Sequence, residues 1–226
     1  MVPNPAEIRG YAQRLRKLMT MKRMRIGLFT DSDVFAGTER HMLDLAPALK
    51  QLGTEVTLMC PERGILAERA RACGVPVIAV EKHGSMDWRA VFTLRDLLRR
   101  GRIEVLHCHN GRTAFLGALG CLFAGHGRLV LTQHFIAPAY ATRSGWKGMI
   151  SRRIHRWLNR RLAAMIAISE SVRAATLERA NIEPSKVTVV PNGISDPMDS
   201  PLRERNTVRG ETVSYTHLTL PTNREV

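Results

Sequence analysis

The chain has 226 residues, 44% of them hydrophobic, and a formal net charge of +14. That is enough apolar material for one sizeable core, and no apolar run is long enough to cross a bilayer. With only 5% aromatic residues and no nucleic-acid motif, the excess charge does not make nucleic acid the partner.

Residues 1–23 form a basic extension with no apolar h-region, so they are not a secretory signal. They read either as a basic amphipathic helix (Ile8, Tyr11, Leu15, Leu18) or, preferably, as sequence upstream of a start at Met21 or Met24. From there, strands and helices alternate. A first strand is predicted over 25–30 and a first helix over 38–52, with Met42, Leu45, Ala46, Leu49 and Leu52 at helical spacing on its buried face. Thr38 is the expected N-cap, Glu39 an acid in the favoured first turn, and Pro47 an interior proline that should bend the helix. Gly37, before this helix, lets a ligand reach the backbone amides, or merely turns the chain.

The next strand is expected over 55–60, a helix over 66–72, a strand over 76–80 and a helix over 87–100. A strand over 104–109 and a helix over 112–123 follow, then a strand over 129–134 and a basic helix over 146–161. In that helix Ile150, Ile154, Trp157, Leu158 and Leu162 form an apolar stripe among Lys147, Arg152, Arg153, Arg156 and Arg160. Its basic face is either simply solvated, the preferred reading, or rests on anionic lipid headgroups at a membrane surface. A strand over 164–168, a helix over 170–180 capped by Ser169, and a strand over 187–190 complete the series. Near-continuous apolar strands separated by helices describe a doubly wound, Rossmann-like α/β domain over 24–196. Cys60, Cys73, Cys108 and Cys121 show no paired spacing, which suits reduced thiols in a cytoplasm.

In such a sheet ligands bind at the carboxyl ends of the strands, near the switch in strand order. Those ends carry Thr30, Asp31 and Ser32; His107, His109, Asn110 and Gly111; Gln133 and His134; Ser169, Glu170 and Arg173; Asn192 and Gly193. The set is polar and poor in acid–base pairs, suited to recognising a sugar or nucleotide rather than to hydrolysis by paired carboxylates.

Several short segments resemble, in order and spacing, the retaining family 4 glycosyltransferases. They are Ala36-Gly-Thr-Glu-Arg40, Leu43-Asp-Leu-Ala46, Leu52-Gly-Thr-Glu-Val56, Ile103-Glu-Val-Leu-His-Cys-His109, Thr132-Gln-His134, Ile166-Ala-Ile-Ser169 and Val187-Thr-Val-Val-Pro-Asn-Gly-Ile194. Where that family usually carries two glycines, this chain has Ala36-Gly37, a slightly narrower loop. The resemblance implies the first half of a GT-B fold, two Rossmann-like domains facing across a cleft. It implies transfer of a sugar from a nucleotide-sugar donor to a glycan or lipid-linked acceptor with retention of configuration. No other cofactor and no metal are expected. Gly37, Thr38, Asn192 and Gly193 would face the donor, His107, His109, Asn110 and Arg173 the acceptor, and His134 would be catalytic. The expected location is the cytoplasm, with peripheral contact to the inner face of an anionic membrane.

The family's paired-glutamate motif and leaving-group cations belong to a carboxy-terminal domain that the sequence does not contain. Residues 197–212 read as a linker. Residues 213–226 break the pattern and resemble a translated adapter tail, with a short tail or edge strand (213–220) as the other reading. The chain is thus expected to be inactive by itself, the front half of a longer enzyme. A different class is a metal-dependent hydrolase in which His107, His109 and His134 bind a divalent ion and Asp31 or Asp33 adds a carboxylate. A dinucleotide-binding module is excluded by the single glycine of the first loop, Glu62 being the only mimic of a ribose-binding acid.

Overall fold

The computed structural model describes residues 23–81, 83–84, 87–134, 145–180 and 182–192. The chain divides into two compact units, Met1–Pro191 and Asn192–Val226, and Asn192 alone of the second is among the described residues. The expected extension, apart from Arg23, the linker, the carboxy-terminal tail and Gly193 lie outside them.

Among the described residues seven strands, β1 (Arg25–Phe29), β2 (Glu55–Cys60), β3 (Val77–Ala79), β4 (Val105–Cys108), β5 (Arg128–Gln133), β6 (Leu162–Ala167) and β7 (Val187–Val189), form one sheet. All pairings are parallel and the order is β3-β2-β1-β4-β5-β6-β7. The chain winds outward from β1 to β3, then returns to the other side of β1 with β4. Between β1 and β4 lies the switch in strand order that leaves a crevice at the carboxyl ends.

Helices cover both faces. α1 (Gly37–Gln51) and α2 (Ile65–Ala72) share one core with Leu28 and Leu58 through Met42, Ala46, Leu66, Ala67 and Ala70. On the other face α3 (Trp88–Arg99), α4 (Gly111–Ala124), α5 (Gly145–Arg161) and α6 (Glu170–Ala180) close over Phe29, Leu106 and Met165. The anchors there include Val91, Leu94, Leu98, Leu116 and Leu158. Each fully buried leucine among these contributes about 2 kcal/mol relative to exposure. Strands buried on both sides have no polar face to alternate with, which is why they read as apolar runs.

Small residues on α4 let it sit deep. A Cβ on Gly117 would stand 2.7 Å from Leu106 Cδ2, and one on Gly120 would stand 2.9 Å from Leu94 Cβ. α4 therefore packs tightly on both the sheet and α3, and ends at Gly125 in the left-handed conformation, φ 79°.

Three local expectations need correction. α1 starts one residue early, with Ala36 and not Thr38 at the N-cap. Alanine has no acceptor to offer, so the buried Glu39 carboxylate reaches back and accepts from the Ala36 N–H at 3.0 Å. Leu52, at the end of that helix, is exposed and lies off the buried face. The apolar stripe of α5 is only partly buried: Leu158 packs in the core and Trp157 is half-buried, but Ile150 and Ile154 are 44% and 40% exposed. Leu162 belongs to β6, because Arg161 passes into that strand with no connecting loop. The helix is thus pressed on the sheet chiefly through its last turn. Pro47 lies inside α1, which runs through it to Gln51. Ser169 caps α6 as expected, its Oγ accepting from Val172 N–H at 3.2 Å. Among the described residues no helix is long and apolar enough to cross a membrane.

Candidate functional site

Register brings the polar ends together. Phe29 pairs with Cys108 and Cys108 with Leu131, so the residues just beyond β1, β4 and β5 share one edge of the sheet. There four imidazoles gather. His107, at the end of β4, is buried, and its Nε2 is 2.7 Å from Thr132 Oγ1 on β5. His109 is buried just past the strand, and its ring stacks on His107 with centroids 4.5 Å apart. Two residues along a strand return to the same face, so the expectation that both rings share a side holds. His109 Nδ1 lies 3.2 Å from Nε2 of His134, which follows β5.

The fourth ring is His41, in the second turn of α1, 5.1 Å from His134 and 5.7 Å from His109 between centroids. Sequence reasoning missed it. The available signal was its position four residues beyond Gly37, one helical turn in, on the helix that follows β1.

Burial sets the charge of this cluster. It pushes His107 down to about 4, with His41 and His134 adding to the shift. His134 is likewise lowered to about 4, by burial and then by His41. His109 falls well below the ordinary range through burial and its three neighbours, and burial also lowers His41 against a smaller upward pull from Asp44. At neutral pH the rings are uncharged, offering lone pairs and N–H donors in place of positive charge. Burial meanwhile raises the thiols of Cys60 and Cys121 to about 11 and holds that of Cys108 well above its ordinary value, so none of these three is a thiolate nucleophile at neutral pH.

Beside the imidazoles, Asp31 is fixed by two partners. Arg112 Nη1 pairs with its Oδ2, and Asn110 Nδ2 donates to Oδ1 at 3.0 Å. Asn110 also caps α4, accepting from Thr113 N–H at 2.8 Å. Arg112 Nη2 donates to the Gly84 carbonyl, which ties the loop before α3 to the ends of β1 and β4. Nearby, Asp87 caps α3 by accepting from the N–H groups of Arg89 and Ala90 at 3.1 and 3.2 Å.

Gly37 opens α1 and is exposed. A Cβ there would meet nothing within 4 Å, and its backbone is not left-handed. The turn itself therefore does not require glycine. What glycine supplies is clear access to the first N–H groups of the helix, where an anion is favoured. Thr38 follows it, half-buried. Arg173 lies on α6 with Nη1 3.7 Å from Glu170 Oε2 in its own helix. Asn192, just past β7, is exposed.

The hydrolase reading is not supported by this arrangement. Asp31 is already held by Arg112 and Asn110, and among the described residues the imidazoles whose nitrogens come together are His41, His109 and His134, with neither His107 nor a carboxylate in the group.

Residues 35–196 match the profile of Glycosyltransferase Family 4. Over 169 residues the chain is 23% identical to the UDP-Gal:alpha-D-GlcNAc-diphosphoundecaprenol alpha-1,3-galactosyltransferase of Escherichia coli, covering 71% of this chain and 42% of that protein. It is 26% identical over 205 residues to the phosphatidyl-myo-inositol mannosyltransferase of Mycolicibacterium smegmatis, covering 85% of this chain and 50% of the relative. The chain thus spans about half the length of these relatives. Among solved structures, Anabaena HepE in complex with UDP and glucose superposes with a TM-score of 0.62 at 17% identity, over 84% of this chain and 50% of that one. A glycosyltransferase from Rickettsia africae gives 0.62 at 14% identity, over 86% and 50%. These superpositions bear out the expected fold, an α/β Rossmann-like half of a GT-B glycosyltransferase.

Proposed function

The chain belongs to Glycosyltransferase Family 4, and on that premise we propose that it is the amino-terminal, acceptor-side half of an enzyme moving a sugar from a nucleotide-sugar donor to a lipid-linked or glycan acceptor. The observation that carries this reading is the edge of the sheet: neutral imidazoles beside an unobstructed helix start at Gly37. Uncharged nitrogen donors and acceptors match sugar hydroxyls, and an open helix N-terminus matches a diphosphate. The names of the two relatives, one a transferase from UDP-galactose to a diphosphoundecaprenol-linked sugar and one a mannosyltransferase acting on a phosphatidylinositol, support both the donor and the lipid-linked acceptor.

Gly37 and Thr38 face the donor diphosphate, and donor roles for Asn192 and Gly193 rest on the family resemblance alone. His107, His109, Asn110 and Arg173 line the acceptor side, and His134 contacts the sugar in flight. The transfer retains configuration. The bond from the anomeric carbon to the diphosphate oxygen breaks, and the acceptor oxygen bonds to the same face. The acceptor's proton passes to the departing diphosphate. The fixed pairing of Asp31 with Arg112 and Asn110 favours this course over one with a carboxylate nucleophile. Leaving-group stabilisation, the largest electrostatic requirement, falls to the second lobe, so this chain is inactive unless joined to it.

Peripheral contact with an anionic membrane, at the cytoplasmic face, accompanies this role. It is favoured by exposed Trp146, Met149, Ile150 and Ile154 on the arginine-rich α5 and by the net charge of +14, the pattern of a surface-lying helix. Four free cysteines suit a reducing compartment.

The test is transfer itself, with the chain expressed in continuity with the lobe that the reading requires. Labelled sugar from a UDP-sugar should appear on a polyprenyl-diphosphate-linked acceptor, and proton NMR of the product should show the donor's anomeric configuration. Inversion would remove the retaining course. Absence of transfer from every nucleotide-sugar tried, with the protein folded, would remove the function.

A further inference from the structure

We propose that His41 is a positioning residue for His134, fixing the plane of that ring and tying it to the helix start at Gly37. The role rests on the proposed sugar transfer, in which His134 contacts the sugar in flight and Gly37 faces the donor diphosphate. His134 follows β5 and is half-buried at the edge of the sheet. From the sheet side it meets His109, whose Nδ1 stands 3.2 Å from its Nε2 and whose ring lies 26° from its own plane. The torsion that turns a histidine ring has broad wells, so one hydrogen bond leaves the ring free to rock. His41 supplies a second restraint from another direction. Its ring meets His134 edge to face, with 74° between the planes and 5.1 Å between centroids, inside the favoured range for such a pair. It also leans on His109, at 57° and 5.7 Å.

α1 places His41 for this task. It lies four residues after Gly37 and three after Thr38, the spacings that bring residues onto one helix face. The face of α1 that opens on the donor therefore also reaches His134. Another side of the helix is spent on the core, where Met42 and Ala46 are buried against the sheet. His41 is only half-buried, so core packing does not account for its position. Nor does a partner on its own helix, because Asp44 is gripped by Arg40 Nε through both carboxylate oxygens, at 3.0 and 3.2 Å. A group that acts on substrate must be held to within about 0.5 Å, by neighbours that lock its rotamer. The edge contact from His41 meets that need for His134 and joins it to the helix that carries the donor-facing residues.

The test is a double-mutant cycle on the two-lobed enzyme, with kcat and donor KM measured for the parent, His41→Ala, His134→Ala and the double variant. A misplacement of 1 Å can cost about 100-fold in rate, and a ring left free to rock should cost less, so His41→Ala should lower kcat roughly 10-fold. Donor KM should stay unchanged, since binding of the ground state is untouched. His41→Phe, which keeps a flat ring for the edge contact, should recover most of the loss. In the His134→Ala background His41→Ala should cost nothing further, because no ring is left to hold. An equal cost in both backgrounds would overturn the positioning role. So would a His41→Phe no better than His41→Ala, which would put a His41 nitrogen on the substrate itself. Loss of turnover in His134→Ala with none in His41→Ala would overturn the role and leave the proposed transfer standing. Full turnover in His134→Ala would remove His134 from the reaction and the role of His41 with it.

Discussion

Arg112, in the first turn of α4, pairs with Asp31, just beyond β1, across the switch in strand order. The same guanidinium holds the Gly84 carbonyl, and Asn110 holds the other carboxylate oxygen. One residue thereby fixes three segments that surround the cluster of imidazoles. Arg112→Met leaves Asp31 largely buried with Asn110 as its remaining partner. The expected loss is about 3 kcal/mol, the lower end for a broken buried pair because Arg112 partly reaches solvent. In a chain of this size that lowers Tm by roughly 10 °C, measurable by thermal melting.

Asp87 is the cap of α3. Burial alone would raise its carboxyl, but hydrogen bonds from the His83 and Ala90 N–H groups and from the His83 ring hold it below the ordinary value of 3.8. A carboxylate with a lowered folded value contributes stability above its unfolded value and loses it as pH falls through the folded one. Asp87→Ala should therefore cost about 1–2 kcal/mol at pH 7. That gap between variant and parent should narrow below the ordinary value. Urea midpoints at neutral pH and under acid conditions read both ends.

Two glycines should respond to alanine in opposite ways. At Gly120 the added methyl meets Leu94 Cβ at 2.9 Å, and neither helix backbone can yield easily. After the gain of about 1 kcal/mol in helix propensity, Gly120→Ala should still destabilise by about 1–2 kcal/mol through overpacking. At Gly37 the methyl meets nothing. Gly37→Ala should leave the urea midpoint unchanged and weaken UDP-sugar binding, as measured by calorimetry on the two-lobed enzyme. Unaltered binding would return Gly37 to a purely structural role.

His134→Ala, in the same two-lobed enzyme, should reduce transfer by roughly 100-fold, the low end for a positioned proton-handling group. Circular dichroism should be unchanged, because the ring is half-buried at the edge of the sheet. Full turnover would take His134 off the reaction path.

The doubly wound sheet was legible because each strand is buried on both faces, so runs such as Arg25–Phe29 and Glu55–Cys60 stand out without any alternation to decode. The neighbourhood of His107, His109 and His134 was legible for a related reason: parallel strands deliver their last residues to one edge. His41 was missed although its place one turn into the helix after β1 was a signal, because that position alone does not say whether a side chain faces the sheet edge or water. The Arg112–Asp31 pair was hidden by 81 residues of separation. The α5 stripe misled because 3.6-residue periodicity reports which residues share a face, and says nothing of how far that face touches the sheet. Thr38 lost the cap to Ala36 because a buried Glu39 could satisfy the first N–H from inside the helix.

α5 enters β6 at Leu162 without a single spacer residue. Just past this junction the pairing with β5 steps over Ala163, from Leu129–Leu162 to Val130–Ala164. Whatever load α5 takes up along its exposed arginine-rich side is passed to the strand, whose far end leads to Ser169 and the cap of α6. A displacement of α5 would reach the functional edge of the sheet through the six residues of β6 alone.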